Sequence, residues 1–314
     1  MPLEPAEKQF FAELAKEAKK NPPKPVNEMS IEEFREVGKV FLQFAGKPED
    51  IPFTDKTIPA RDGYKVPIRV YGDDGDISKP AVILFPGNGF MIDLFEQHHA
   101  PCSIIAKHSG CKVILVNFRL IPENPFPTGL NDATDATKYI MTHTEEFGID
   151  KNKIIIAGFS AGANFAAIIN NQARNIPELN IHHQILIAGP YDLSASLKTH
   201  LEYEEEDQLC TQEAIDFLLS LYVPDNISNK DPNISPYWEE NLNHLPPTTI
   251  FVAEYDRGRS QSEGYFEKLK TAGVPVTKII FKGQTHNTLI CRKVLNGGKD
   301  PAMVIAKRLQ EITA

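Results

Sequence analysis

Cysteine is scarce in this chain, and its spacing fits neither of the sites that cysteines usually build. Four cysteines stand at positions 102, 111, 210 and 291, without a Cys-x-x-Cys pair. Such a scatter predicts neither a zinc site nor a disulfide framework. We therefore expect reduced thiols and no bound metal.

The chain also lacks a surplus of basic residues and a long apolar run. Lys and Arg number 33 against 42 Asp and Glu, a net charge of −9, which argues against a nucleic-acid binder. No apolar run approaches the ~18–20 residues that a membrane span needs. The first residues show no basic segment followed by an apolar one, so a cytoplasmic protein is expected. Secretion by a route without a cleaved signal stays open.

The first 50 residues carry helical patterns without strands. Apolar residues in 5–20 follow the helical period, and Asn21–Pro25 is a proline-rich stop. Ser30–Glu33 has the form of a capping box, which predicts a second helix through about Ala45. Because neither helix belongs to a βα alternation, residues 1–50 are predicted to form an N-terminal helical cap.

From there on, short β-rich segments alternate with helical ones. The predicted strands are 66–71, 81–85, 112–118, 153–157, 184–188, 248–254 and 276–281. The predicted helices are 95–109, 127–147, 161–175, 260–272 and 300–312. This alternation predicts an α/β fold, with a mainly parallel sheet covered by helices on both faces.

The segment 194–245 interrupts that alternation. It carries the acidic run Glu202–Asp207, one helical pattern near 211–222 and the proline-containing stretch Asp231–Trp238. We interpret the segment as an inserted cap over the active site and the acidic run as a solvated face. Residues 51–193 and 246–314 then form the core of the fold.

The candidate nucleophile is Ser160, in the sequence Gly158-Phe159-Ser160-Ala161-Gly162. This Gly-x-Ser-x-Gly follows an apolar β-branched run and precedes an alanine-rich helical pattern. A nucleophile elbow requires that context, since a strand must end in a tight turn that exposes the serine at a helix N-terminus. Ser160 is therefore predicted to be catalytic.

A serine hydroxyl needs a base that is held by a carboxylate. His286 follows the last predicted strand, where the chain order Ser, Asp, His places the base. Asp256 follows strand 248–254 and is the predicted carboxylate. Glu254 remains an alternative, and Asp192 is a weaker one.

Two further pairs of histidines, His98-His99 and His182-His183, are adjacent in sequence. Adjacent side chains diverge on a helix and on a strand, and the i, i+4 spacing of a helical metal site is missing. We interpret all four as surface or edge residues.

An oxyanion hole is predicted at the end of strand 81–85. Gly87, Asn88 and Gly89 are small residues whose backbone amides could approach a substrate oxygen. The amide of Ala161, directly after the serine, would complete the hole.

At this point the chain resembles the hormone-sensitive-lipase-like branch of the α/β hydrolases. Asn117–Pro127 with Asp132-Ala133 is similar to that family's Asp-Tyr-Arg-Leu-Ala-Pro-Glu-x-Pro-Phe-Pro…Asp-Ala, and Gly158–Asn164 to its Gly-Asp-Ser-Ala-Gly-Gly-Asn. Asp256, with Arg259, Tyr265 and Leu269, keeps the register of a third motif. The resemblance runs from about residue 60 to the end. It implies a serine esterase or lipase-like hydrolase with an N-terminal helical cap and no cofactor.

The chain departs from the family pattern in three of its motifs. Pro86-Gly87-Asn88-Gly89 stands where the family has His-Gly-Gly-Gly, Phe159 replaces an aspartate, and Asn287 replaces a glycine. Asparagine tolerates unusual backbone angles better than most residues, so the turn can survive. The departures bear on substrate and rate more than on reaction class.

The expected function is hydrolysis of a small carboxylic ester, with short to medium acyl chains, through an acyl-enzyme on Ser160. Candidate lining residues are aromatic: Phe90, Phe159, Tyr191, Tyr237 and Trp238. A packing role in the core is an equal alternative for each. An amide, lactone or carbamate substrate stays open, as does a binding protein with little turnover, although receptors of this resemblance typically lack the histidine. The edge near the last strand could pair two subunits.

Overall fold

The computed structural model of the chain describes residues 3–20, 22, 24–39, 44–76, 78–194, 196, 211–292 and 300–314. The acidic run 202–207, predicted to be a solvated face, lies outside the described residues, as does Cys210.

One eight-stranded sheet forms the centre of the described fold. Its strands are β1 (Phe53–Pro59), β2 (Lys65–Tyr71), β3 (Lys79–Phe85), β4 (Lys112–Val116), β5 (Ile149–Phe159), β6 (His183–Ile187), β7 (Thr248–Ala253) and β8 (Val276–Phe281). The spatial order is β1-β2-β4-β3-β5-β6-β7-β8. Strand β2 runs antiparallel to β1 and β4, and all pairs from β4 to β8 are parallel. The predicted mainly parallel sheet is confirmed.

Nine α-helices accompany the sheet in the described residues. They are α1 (Pro5–Lys20), α2 (Ile31–Lys39), α3 (His99–Ser109), α4 (Thr128–Thr142), α5 (Thr144–Phe147), α6 (Ala161–Gln172), α7 (Gln212–Tyr222), α8 (Arg259–Thr271) and α9 (Pro301–Thr313). None of them has the length and apolar character that a bilayer crossing requires.

The central strands are buried along their whole apolar length. Every residue of β4, β6 and β7 is buried, and so is the stretch Ile154–Phe159 of β5. Such continuous runs are typical of parallel strands that helices cover on both faces. Strand β1 was missed from sequence because it is a polar edge strand, mostly exposed, that pairs only with β2.

The two N-terminal helices are anchored differently. Helix α1 matches its prediction and buries Phe10 and Phe11 in the main core. The capping box of α2 forms as expected: Glu33 accepts the Ser30 amide hydrogen at 2.9 Å, and Ser30 Oγ accepts the Glu33 amide hydrogen at 3.2 Å. The structure describes α2 as far as Lys39, and residues 40–43 of its predicted course to Ala45 lie outside the described residues.

Candidate active site

Ser160 lies in a strained turn between β5 and α6. Its backbone has φ 51° and ψ −120°, which a non-glycine residue adopts only at a cost of about 1–3 kcal/mol. The Ser160 amide donates to the Ile187 carbonyl at 2.9 Å, and this bond holds the turn against β6. The turn therefore projects the hydroxyl beyond the end of the sheet.

Glycine is required on both sides of Ser160. A Cβ at Gly158 would lie 2.1 Å from the Gly162 carbonyl oxygen. A Cβ at Gly162 would lie 2.1 Å from the Phe85 carbonyl oxygen. Only residues without a side chain let strand, turn and helix approach this closely.

Ser160, His286 and Asp256 form a continuous hydrogen-bonded chain. His286 Nε2 lies 2.9 Å from Ser160 Oγ, and His286 Nδ1 lies 2.8 Å from Asp256 Oδ2. The Asp256 side chain is 4% exposed and that of His286 is 13% exposed. A carboxylate accepts only, so Nδ1 carries the hydrogen and Nε2 is left to accept from the serine hydroxyl.

The sheet brings the aspartate and histidine loops together. Strands β7 and β8 are parallel neighbours, so the residues after each strand emerge at the same edge. The Tyr255 amide donates to the Gln284 carbonyl at 2.9 Å and joins the two loops. The Gly258 amide donates to Asp256 Oδ1 at 2.7 Å, which leaves Oδ2 for the histidine.

The two rival carboxylates have other partners. Glu254 accepts the Gly283 amide hydrogen at 2.7 Å. Asp192 accepts hydrogen bonds from Ser194, Ser196 and the indole of Trp238. Of these three carboxylates, Asp256 is the one shown bonded to the His286 imidazole.

The predicted oxyanion residues separate into one that is already bonded and three that are not. The Gly87 amide donates to His98 Nε2 at 3.1 Å, so the expectation that it serves as an oxyanion donor is wrong. Among the described residues, no acceptor faces the amides of Asn88, Gly89 or Ala161. Three backbone donors are thus available at the turn and at the start of α6.

His98 corrects the interpretation of the first histidine pair. It is 1% exposed rather than a surface residue, and its Nδ1 donates to the Leu94 carbonyl at 2.8 Å. Burial lowers the pKa of His98 to about 4, so the ring is neutral near pH 7. Adjacent spacing carried no signal of this role, because it depends on the turn formed by 87–89.

The second histidine pair and His99 differ from one another in burial. His183 is buried at the start of β6 and bonds Thr249 Oγ1 at 2.9 Å, so its surface assignment is wrong as well. Burial lowers the pKa of His183 to about 3. His99 is half-buried and bonds the Tyr71 hydroxyl at 3.0 Å, and His182 is exposed as expected.

Phe159 lies among the catalytic candidates. It is 1% exposed, and its ring centroid is 5.4 Å from that of His286 and 6.1 Å from that of His98. A Cβ at Gly87 would lie 2.2 Å from the Phe159 ring. The aromatic ring that replaces the family's aspartate therefore packs between the two histidines and against the oxyanion turn.

The other predicted lining residues are packed into the protein. Phe90 stacks on Tyr222 at 3.9 Å between ring centroids. Tyr191 is fully buried against Tyr265, so it belongs to the core and not to an open pocket. Trp238 is half-buried, and its indole Nε1 donates to Asp192 Oδ1 at 2.9 Å.

Tyr237, the fifth aromatic candidate, is also tied to its surroundings through its backbone. Its amide donates to the Tyr191 carbonyl at 2.9 Å, and its carbonyl accepts a hydrogen bond from Lys268. Lys268 Nζ also lies 4.9 Å from the centre of the Tyr237 ring. Tyr237 thus contacts Lys268 of α8 through both its carbonyl and its ring.

The Asn117–Pro127 motif is held by a buried ion pair. Arg119 donates to Asp132 through Nε at 2.8 Å and Nη2 at 2.7 Å, and the Asp132 side chain is 0% exposed. Within the part of the chain that the structure describes, no cluster of three metal-binding side chains is found.

Comparison with known proteins decides the family. A sequence profile of the alpha/beta hydrolase fold family matches residues 82–290. The chain belongs to this family. Within it, the chain is a member of the hormone-sensitive-lipase-like branch, as the motifs above predicted.

Named relatives of this α/β hydrolase are esterases. It is 25% identical to an ethyl acetate hydrolase of Pseudomonas putida, over 89% of this chain and 88% of the relative. It is 31% identical to an arylesterase of Saccharolobus solfataricus, over 71% and 72% of the two chains. A hyperthermophilic esterase from the archaeon Pyrobaculum calidifontis superposes with a TM-score of 0.89 at 30% identity, covering 100% of this chain and 99% of that one.

Proposed function

We propose that this α/β hydrolase is a serine carboxylesterase that cleaves carboxylic esters through an acyl-enzyme on Ser160. The observation that carries the proposal is the hydrogen-bonded chain from Ser160 Oγ through His286 to Asp256, with distances of 2.9 and 2.8 Å. The names of the esterase relatives support the same reaction class.

In the proposed acylation step, the imidazole of His286 takes the hydroxyl proton as Ser160 Oγ attacks the ester carbonyl carbon. Asp256 stabilises the imidazolium and fixes its tautomer. The imidazolium then gives the proton to the departing alkoxide, and the alcohol leaves. In the second half, His286 deprotonates a water molecule that attacks the acyl carbon. The bond between the acyl carbon and Ser160 Oγ then breaks, the imidazolium returns the proton to Ser160 Oγ, and the carboxylic acid is released.

The proposed oxyanion hole consists of the amides of Asn88, Gly89 and Ala161. Each has a hydrogen without an acceptor in the described residues, and Ala161 begins helix α6, whose N-terminus favours negative charge. Removal of one such donor typically costs about 10²–10³-fold in rate.

The caps are proposed to enclose a modest acyl pocket. Leu218 of α7 lies so close to Gly89 that a Cβ there would be 2.9 Å from its Cδ1. Phe34 of α2 contacts Phe217 of α7, with ring centroids 5.1 Å apart. Leu218 thus lies beside Gly89, and Phe34 packs against the neighbouring Phe217, which supports short to medium acyl chains as substrates.

Two further proposals concern the state of the protein in the cell. A cytoplasmic location is supported by Cys102, Cys111 and Cys291, which are buried free thiols. A homodimer through β8 is supported by the position of that strand at the edge of the described sheet. Size-exclusion chromatography with light scattering tests the dimer, and a purely monomeric mass would reject it.

Labelling with a fluorophosphonate tests the enzyme proposal directly. We expect one covalent adduct on Ser160, and none on the variant Ser160→Ala. A folded wild-type protein that takes up no label would favour the alternative of a ligand-binding protein.

A panel of nitrophenyl esters tests the substrate class. Activity should peak at short to medium acyl chains, and a preference for long chains would reject the modest pocket. Higher activity on an amide or lactone series would favour the alternative substrates.

A further inference from the structure

Helix α1 and the residue before it contact the loop that carries His286 at two backbone positions. The Glu4 amide donates to the Gly283 carbonyl at 2.7 Å. Glu7 Oε2 accepts the Thr285 amide hydrogen at 3.0 Å, across a sequence separation of 278 residues. The residue directly before His286 is therefore held by the N-terminal helix.

Glu7 is an unusual residue to find at this contact. Its side chain is only 4% exposed, although ionised carboxylates are rarely buried without a partner. No basic residue pairs with it among the described ion pairs, and its Oε2 accepts a hydrogen bond from the Thr285 amide. Burial, the largest influence, raises the pKa of Glu7 above its ordinary value, although the hydrogen bond from Thr285 acts in the opposite direction. The buried carboxyl group faces the histidine loop.

The loop before His286 is thus fixed from two sides. On the aspartate side, Glu254 accepts the Gly283 amide hydrogen, and the Gln284 carbonyl accepts from Tyr255. On the α1 side, the remaining Gly283 carbonyl and Thr285 amide are bonded to Glu4 and Glu7. Thr285 is 3% exposed, so its amide would lack solvent as a substitute partner if Glu7 were removed.

Helix α1 itself is a firm support for Glu7. Phe10 and Phe11, on the same helix, are 4% and 5% exposed, and their rings pack edge to face at 5.1 Å. A displacement of Glu7 therefore requires a displacement of buried core residues, which interiors resist.

We propose that Glu7 is a positioning residue for ester hydrolysis: its carboxylate holds Thr285, and through Thr285 keeps the His286 imidazole at hydrogen-bond distance from Ser160. This inference rests on the proposed function. It assigns the N-terminal cap a direct part in aligning the general base, in addition to covering the site.

Three substitutions of Glu7 separate the effect of side-chain length from the effect of the carboxylate. Glu7→Asp keeps the charge but is one methylene shorter, Glu7→Gln keeps the reach and an acceptor oxygen, and Glu7→Ala removes both. Glu13→Ala is the matched control, because Glu13 is an exposed carboxylate on the same helix. For each variant, kcat and KM on nitrophenyl acetate and the rate of fluorophosphonate labelling of Ser160 are measured.

We expect kcat and the labelling rate to fall together by roughly 10-fold in Glu7→Asp and Glu7→Ala, with KM within about two-fold of wild type. Glu7→Gln should stay within about three-fold of wild type, because it still accepts from Thr285. Glu13→Ala should be unchanged. If Glu7→Ala fails to fold, the contrast between Glu7→Asp and Glu7→Gln still decides.

Native labelling rates in Glu7→Asp would overturn the inference, and so would equal losses in Glu7→Asp and Glu7→Gln. Either result leaves the proposed function intact as long as wild type reacts. Absence of labelling and turnover in wild type itself would instead reject the proposed function.

Discussion

The buried ring of His98 accepts the amide hydrogen of Gly87 at 3.1 Å. Its other nitrogen donates to the Leu94 carbonyl at 2.8 Å, so the neutral ring can have only one tautomer. This bond occupies the amide of Gly87, the first residue of the turn 87–89 that is predicted to bind the oxyanion, and holds Gly87 in place. The next two amides, of Asn88 and Gly89, have no acceptor in the described residues and are the proposed oxyanion donors.

Loss of the His98 acceptor should slow catalysis. His98→Asn is too short to reach Gly87, and we expect kcat to fall by about 10–10²-fold as the oxyanion turn loosens. His98→Gln places an acceptor near the former Nε2 and should retain more activity. Steady-state kinetics on nitrophenyl acetate measure both variants; wild-type kcat in His98→Asn would contradict the role.

The same histidine should make stability depend on pH. Its pKa is about 4 in the folded protein, below the ordinary ~6.5, because burial disfavours the imidazolium. Below pH ~6.5 the unfolded chain binds a proton that the folded chain does not, so stability is full above this pH and falls as pH drops toward 4. His183, with a folded pKa of about 3, acts in the same direction.

Urea unfolding of wild type and His98→Gln at pH 8 and pH 5 isolates the His98 share. Between these pH values wild type should lose about 2 kcal/mol more unfolding free energy than His98→Gln, since glutamine does not titrate. Equal losses in the two proteins would show that His98 is not buried as a neutral ring.

Sequence reasoning succeeded where the signal was local. Sequence predicted the elbow around Ser160 and the strand ends before Asp256 and His286. This was possible because chain order and strand position dictate where these side chains emerge. Buried runs also located seven of the eight strands, and only the polar edge strand Phe53–Pro59 was missed.

Contacts between residues far apart in the chain could not be predicted from the sequence. Glu7 and Thr285 are 278 residues apart, and no local pattern links them. Likewise, His98 was predicted to be a surface or edge residue. Adjacent histidines give the same sequence pattern whether their rings are exposed to solvent or bonded to a backbone amide. Tyr191 had two alternatives from sequence, the substrate pocket and the core, and its stacking on Tyr265 assigns it to the core.

The two carboxylates at the end of β7 should differ sharply in their effect on rate. Asp256→Asn should lower kcat by about 10⁴-fold, because an amide cannot hold the required imidazole tautomer. Glu254→Gln should stay within about 10-fold of wild type, because its carbonyl can still accept from Gly283. Single-turnover kinetics of both variants check the assignment, and a larger loss in Glu254→Gln would reverse it.

Restoring the family's glycine at position 88 should not improve the enzyme. Asn88 Oδ1 accepts the Phe90 amide hydrogen at 2.9 Å and supports the left-handed backbone of Gly89 and Phe90, with φ 56° and 62°. We expect Asn88→Gly to lose about 1 kcal/mol of unfolding free energy and to show a lower kcat. An increase in kcat would mean that the asparagine side chain hinders the oxyanion hole.

Breaking the ion pair between Arg119 and Asp132 should cost more unfolding free energy than breaking the pair between Arg61 and Asp135. Arg119→Ala leaves the fully buried Asp132 without its charge partner, for which the expected loss is about 3–5 kcal/mol of unfolding free energy. Arg61→Ala is the control: Arg61 also pairs with an aspartate through two bonds, but its side chain is 54% exposed, so about 1 kcal/mol or less is expected. Urea unfolding at pH 8 measures both. Similar losses in the two variants would show that burial of Asp132 does not set the strength of this pair.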